Sequence, residues 1–144
     1  MQKDTAEIVK QLQLSPDFQN FYQENKEYMV DKSLAQLLQQ LLKQTGISKA
    51  KAIKNAEMSE IYGYHIFAGT RIPERGKVLA LAIGMGLTMD QIQQLLKAAG
   101  YSTLYVKRPF DSVVLYGIVK KMSVAQINEL LYDYGMETLG QSTL

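Results

Sequence analysis

Cysteine is absent from this chain of 144 residues, and histidine occurs once, as His65. These two scarcities remove disulfide frameworks, thiol nucleophiles, thiolate zinc sites, paired-imidazole metal centres and the usual Ser/His triad. No apolar run approaches the ~18 residues of a membrane span. The first segment, Met1 to Glu7, carries acids where a signal peptide would carry only bases. A cytoplasmic protein is therefore expected. An excess of one charge sign is also lacking, since 16 Lys and Arg face 14 Asp and Glu for a net +2. A balance that small does not by itself point to nucleic acid. What the chain does hold is 47% hydrophobic residues, enough to bury a core at the length of one average domain.

The near-neutral charge is a sum of unlike parts. Residues 1–47 carry five Lys against six acids, residues 48–77 carry six Lys and Arg against three acids, and residues 78–144 carry five of each. The basic excess thus sits in one block, Lys49, Lys51, Lys54, Arg71, Arg75 and Lys77. A phosphate-facing patch has this form, as does a solvated helix face that is simply basic.

Apolar spacing predicts helices throughout. Residues 1–31 read as a helical extension of two short pieces, with Ser15-Pro16-Asp17 as the N-cap and first turn of the second. From Ser33, the stripe Leu34, Leu37, Leu38, Leu41 and Leu42 predicts an amphipathic helix stopping at Gly46. Ser48 and Ser59 are placed to cap two short helices, the second ending at Gly69. Pro73 is expected as the first residue of the next helix, which closes in Gly84-Met85-Gly86. Only Tyr101 to Val106 leaves room for a strand.

Residues 87–104 recur as 122–139 at an offset of 35: Gln91 matches Gln126, Ile92 Ile127, Leu95 Leu130, Leu96 Leu131, Gly100 Gly135, Thr103 Thr138 and Leu104 Leu139. The preceding helices also correspond, Val78 to Val113 and Ile83 to Ile118. The repeating unit is therefore a helix pair, and two copies are too few for a solenoid. An all-α fold is expected, with residues 32–144 forming a compact helical bundle.

Ser48 to Ser59, then Ile66-Phe67-Ala68-Gly69-Thr70-Arg71-Ile72-Pro73 and Leu79 to Leu87, resemble the helix-turn-helix of the Cro and phage-repressor class, also called XRE-like. Gly69, Arg71, Pro73 and Leu79-Ala80-Leu81-Ala82 fill the class's pattern of helix-ending glycine, basic residue, proline and apolar helix. The resemblance covers roughly residues 33–90. The whole chain looks like a group of small bacterial XRE-like proteins, typical of Firmicutes, with an acidic N-terminal extension and a second helical pair ending in a motif like Asn128-Glu129-Leu130-Leu131-Tyr132.

The resemblance implies a DNA-binding transcriptional regulator whose Ser59–Ala68 helix lies in the major groove of double-stranded DNA. Glu60, Ile61, Tyr64 and His65 fall at base-reading positions; Lys49, Lys51, Thr70, Arg71 and Arg75 fall where backbone phosphates are met. A homodimer is expected, because one such motif reads few base pairs.

The chain departs from the class in offering Glu60, Ile61, Tyr62, Gly63, Tyr64 and His65 on the recognition helix in place of the Gln, Arg, Asn or Ser suited to base edges. Tyr62, Tyr64 and Ile61 suit a protein partner as well, so the alternative is an interaction adaptor, in bacterial signalling or phage-related regulation, on a scaffold with reduced DNA binding. Neither reading requires catalytic residues, metal or cofactor. His65 has Ile61, not a carboxylate, four residues before it.

Overall fold

A computed structural model describes residues 4–28 and 33–140, save the side chain of Glu27. All regular structure among the described residues is helical. The chain divides into two compact units, Met1–Asp31 and Lys32–Leu144; the residues at that boundary lie outside the described ones.

The first unit holds α1 (Thr5–Leu14), α2 (Phe18–Asn25) and a 3-10 turn, Lys26–Tyr28. Asp17, not Ser15, caps α2. Its backbone is extended and its carboxylate accepts from the Asn20 N–H at 2.7 Å, three residues on, which is the reach an N-cap oxygen has.

In the second unit follow α3 (Leu34–Thr45), α4 (Lys49–Asn55), α5 (Glu60–Ala68), α6 (Arg75–Gly84), α7 (Met89–Ala98), α8 (Pro109–Val119) and α9 (Val124–Asp133). Serine or threonine caps five of these at Ser33, Ser48, Ser59, Thr88 and Ser123, and the α3, α7 and α9 caps are reciprocal boxes with Gln36, Gln91 and Gln126. Pro73 does not open α6. The helix begins two residues later from Glu74, and the Pro73 carbonyl instead accepts from the Tyr101 hydroxyl at 2.7 Å. The stretch from Tyr101 to Val106 forms no strand, since its backbone groups bond to side chains of α6, α7 and α8.

The core is organised around α6. Val78 through Ala82 are all buried, and a helix apolar on every side must be surrounded. Helices α4, α7 and α9 pack on it, α3 lies on α5 and α7, and α9 pairs with α8.

The repeat is a structural one. Helices α7 and α9 occupy positions related by 35 residues, each followed by a left-handed glycine, Gly100 or Gly135. Each also carries an amide that clamps its own tail. Gln93 exchanges hydrogen bonds with the backbone of Leu104, donating at 3.2 Å and accepting at 2.8 Å; Asn128 does the same with Leu139 at 3.4 and 2.6 Å. The two tails are used reciprocally. The first reaches the start of α8, where Tyr105 N–H donates to Asp111. The second reaches the start of α6, where Gly140 N lies 3.3 Å from a Cβ built on Gly76. Positions 105 and 140, and 111 and 76, are again 35 apart, so each pair's tail meets the start of the other pair's first helix.

Candidate nucleic-acid interface

Helices α4 and α5 are fixed against each other by what they bury. Helix α4 turns Ala52 and Ile53 inward, and α5 turns Gly63, Ile66 and Phe67 inward. A Cβ on Gly63 would stand 2.6 Å from both Cγ atoms of Ile53, so glycine is required for the helices to approach this closely. Full burial of Phe67 and Ile66 contributes roughly 1.5–3 kcal/mol each and anchors the inner face of α5. Between the helices, Ala56 to Ser59 make the turn, with Glu57 at φ 58°.

This arrangement leaves one side of α5 open. Ile61 is 75% exposed and Tyr64 40%, with Glu60 and His65 also exposed. Positions 61, 64 and 65 share a helical face, so these expected base-reading residues do form one stripe. His65 is oriented by Thr70. The Thr70 hydroxyl donates to the His65 carbonyl at 3.2 Å and meets the ring Nδ1 at 2.8 Å. The direction of the Oγ1–Nδ1 hydrogen bond follows the ring's tautomer, and either way the contact fixes the plane of the imidazole. Beside it, the exposed Glu60 carboxylate presents acceptors only.

The basic block does not act as one patch. Lys51 and Lys54 are exposed on α4. Lys49 is half-buried, its Nζ 6.0 Å from the Tyr64 ring and 5.7 Å from Phe67. Arg71 and Lys77 converge on Tyr62, at 5.6 and 3.9 Å from the ring centre, a cation–π arrangement. Burial raises the Tyr62 phenol above its ordinary pKa, Arg71 opposes this, and Glu74 and Tyr101 add to it. Tyr62 is half-buried, which sets it apart from the exposed stripe.

Arg75 is withdrawn from any phosphate. Its guanidinium grips Asp111 through two bonds, at 2.8 and 3.0 Å, and donates to the carbonyls of Ser102 and Thr103 at 3.0 and 3.3 Å. Asp111 is fully buried. Burial pushes its carboxyl up, but the hydrogen bonds from Arg75 and from Tyr105 N–H, with the charges of Arg75 and Arg108, outweigh that and hold it below the usual carboxylate range. The sequence carried one signal of this pair: Asp111 is the single charge in α8. Lys77 on Tyr62 gave none, because contacts across fifteen residues have no periodicity.

Among the described residues there is no cluster of His, Cys, Asp or Glu fit to hold a metal, and no helix long and apolar enough to cross a membrane. Comparisons with protein-family models, curated proteins and solved structures found no match to this chain.

Proposed function

We propose that this chain is a cytoplasmic, non-catalytic transcriptional regulator that binds double-stranded DNA, with α4 and α5 serving as a helix-turn-helix of the phage-repressor type. The observation that carries the reading is the open stripe of α5, held by the buried Gly63 and Phe67 and bordered by Lys49 of α4, with Lys51 and Lys54 exposed on the same helix. In the major groove, the Glu60 carboxylate matches the amino groups of cytosine and adenine, Ile61 matches a thymine methyl, and the His65 ring reaches base edges beside them. Lys49, Lys51, Lys54 and Arg71 then face phosphates, and Arg75 does not. Two copies on a palindromic site would supply the length of sequence that one α5 cannot read.

Retention on mixed duplex DNA at a series of salt concentrations tests this. About three or four phosphate contacts give a log–log slope near −3. Lys51→Glu with Lys54→Glu should abolish retention while leaving the helical circular dichroism signal unchanged. No retention at low salt would end the DNA reading.

A second reading, the protein adaptor, is favoured by the composition of the stripe: Ile61 is 75% exposed, and no guanidinium or carboxamide stands beside it. If Ile61→Ser with Tyr64→Ser leaves the DNA salt slope intact but releases a protein partner in pull-down, the adaptor reading replaces the first.

A further inference from the structure

The outer side of α8 stands open where its counterpart on α6 is covered. On α6, Leu81 is 1% exposed and Gly84 is buried under α4. A Cβ on Gly84 would lie 2.9 Å from the Ala52 carbonyl oxygen and the Ala56 nitrogen, and Asn55 donates to the Gly84 carbonyl at 3.0 Å. The equivalent positions 35 residues on are Tyr116, 51% exposed, and Val119, 68% exposed. The same helix surface thus packs a helix in one copy and solvent in the other.

Charge determines which occupant suits it. The only charge of α8, Asp111, is turned inward to Arg75, so the open side is neutral along its length. Cations stand at both ends: Lys107 before the helix, Lys120 with its Nζ 5.7 Å from the Tyr116 ring, and Lys121 after it, all exposed. In a two-fold dimer through this face, each cationic end would meet another cationic end. The α4 of a second copy does not fit either, because Val119 stands where α4 needs glycine. We infer that the outer face of α8, centred on Tyr116 and Val119, is a docking surface for an acidic amphipathic helix of a partner protein. Its apolar side covers Tyr116 and Val119, and its carboxylates meet Lys120 at one end and Lys107 at the other. The surface is separate from the α4–α5 stripe, so the inference stands independently of the DNA reading.

The test uses the full chain and synthetic helical peptides of about 20 residues, long enough to be helical alone, with Ala and Leu on one face and Glu on the other. Versions with Gln or Lys in place of every Glu serve as controls. By fluorescence anisotropy at low ionic strength the Glu peptide should bind, the Gln peptide at least about tenfold more weakly, and the Lys peptide not at all. Tyr116→Ser with Val119→Ser, both at exposed positions, should weaken Glu-peptide binding at least about tenfold with an unchanged circular dichroism spectrum. Lys120→Glu should weaken the Glu peptide and favour the Lys peptide. Absence of Glu-peptide binding, or equal binding by the double-serine variant, overturns the inference. So does a full-length dimer that the double-serine variant converts to monomer, which would assign the face to a second copy. Loss of duplex-DNA retention in Lys120→Glu to the extent seen for the α4 lysines would assign it to nucleic acid instead.

Discussion

Leu95 on α7 is completely buried, whereas Leu130, its counterpart on α9, is only partly so; Leu81 on α6 is buried and Tyr116 on α8 is exposed. Yet Ile92 and Ile127, and Leu96 and Leu131, are buried alike. The residues that agree are those each pair needs to close on itself. Those that differ face outward from the pair, toward α3 and α4 in the first copy, where α4 packs on α6 and α3 on α7. Repetition therefore preserves the internal contacts of the hairpin and leaves its outer face free to diverge. The first copy became the hub of the core. The second kept the hairpin and gained an aromatic, cation-flanked exterior.

The largest effect on this comparison should come from the ion pair that links the copies. Arg75→Ala leaves the buried Asp111 carboxylate without its cation, only the Tyr105 N–H remaining, and should cost about 3–5 kcal/mol at neutral pH, measured by urea denaturation. Asp111→Ala should cost less, because the Arg75 side chain keeps 21% of its exposure and can take up water. The pH dependence has a definite sign. Asp111 titrates below its unfolded value, so its contribution is complete above about pH 4 and is lost as pH falls through the lower folded value. The cost of Arg75→Ala should accordingly be largest near pH 7 and shrink below about pH 4, where the carboxyl of the variant is already neutral. A cost independent of pH would mean that the pair does not tie the copies together electrostatically.

Next in size is the exchange at the outward positions. Gly84→Ala puts a methyl against the backbone of α4, which cannot yield as a flexible side chain would, and should destabilise by about 1–3 kcal/mol. Val119→Ala, at the equivalent exposed position, should change stability by less than about 0.5 kcal/mol. Similar costs at both sites would mean that the second copy's outer face is covered after all.

Much of this was legible beforehand. The 35-residue offset, the serine and threonine caps, the α3 stripe and the glycine ends of α3 and α5 follow from local chemistry, and all reappear in the fold. The resemblance named positions 60, 61, 64 and 65 of α5, and all four are exposed in the fold. Periodicity names faces but not partners. Charge counting likewise grouped Arg75 with the other cations, while the carboxylate that pairs with it lies 36 residues away on another helix. Tyr62 was expected with Tyr64 and Ile61 on a face suited to a protein partner, and it instead lies half-buried under Lys77. The start of α6 was misplaced because Pro73 satisfies the rule for a first helical residue equally well in the extended segment before Glu74.

The smallest expected effect is also the most direct probe of the repeat. Gln93 and Asn128 differ in identity, so matching identical residues does not pair them, yet each amide both donates to and accepts from the backbone of a leucine eleven residues on. Gln93→Ala would leave the N–H of buried Leu104 without its partner, at about 1–2 kcal/mol, and Asn128→Ala should do the same to Leu139. The two costs should be similar, because the clamp belongs to the hairpin and not to its surroundings. Their consequences should differ. The Leu104 tail also supports Asp111 through Tyr105 N–H and holds Arg75 through the Ser102 and Thr103 carbonyls, so Gln93→Ala loosens the ion pair as well. Combining each with Arg75→Ala separates the cases: Gln93→Ala should add less than its own cost, and Asn128→Ala should add in full. Full additivity for both would show that the first tail does not help to position the Arg75–Asp111 pair.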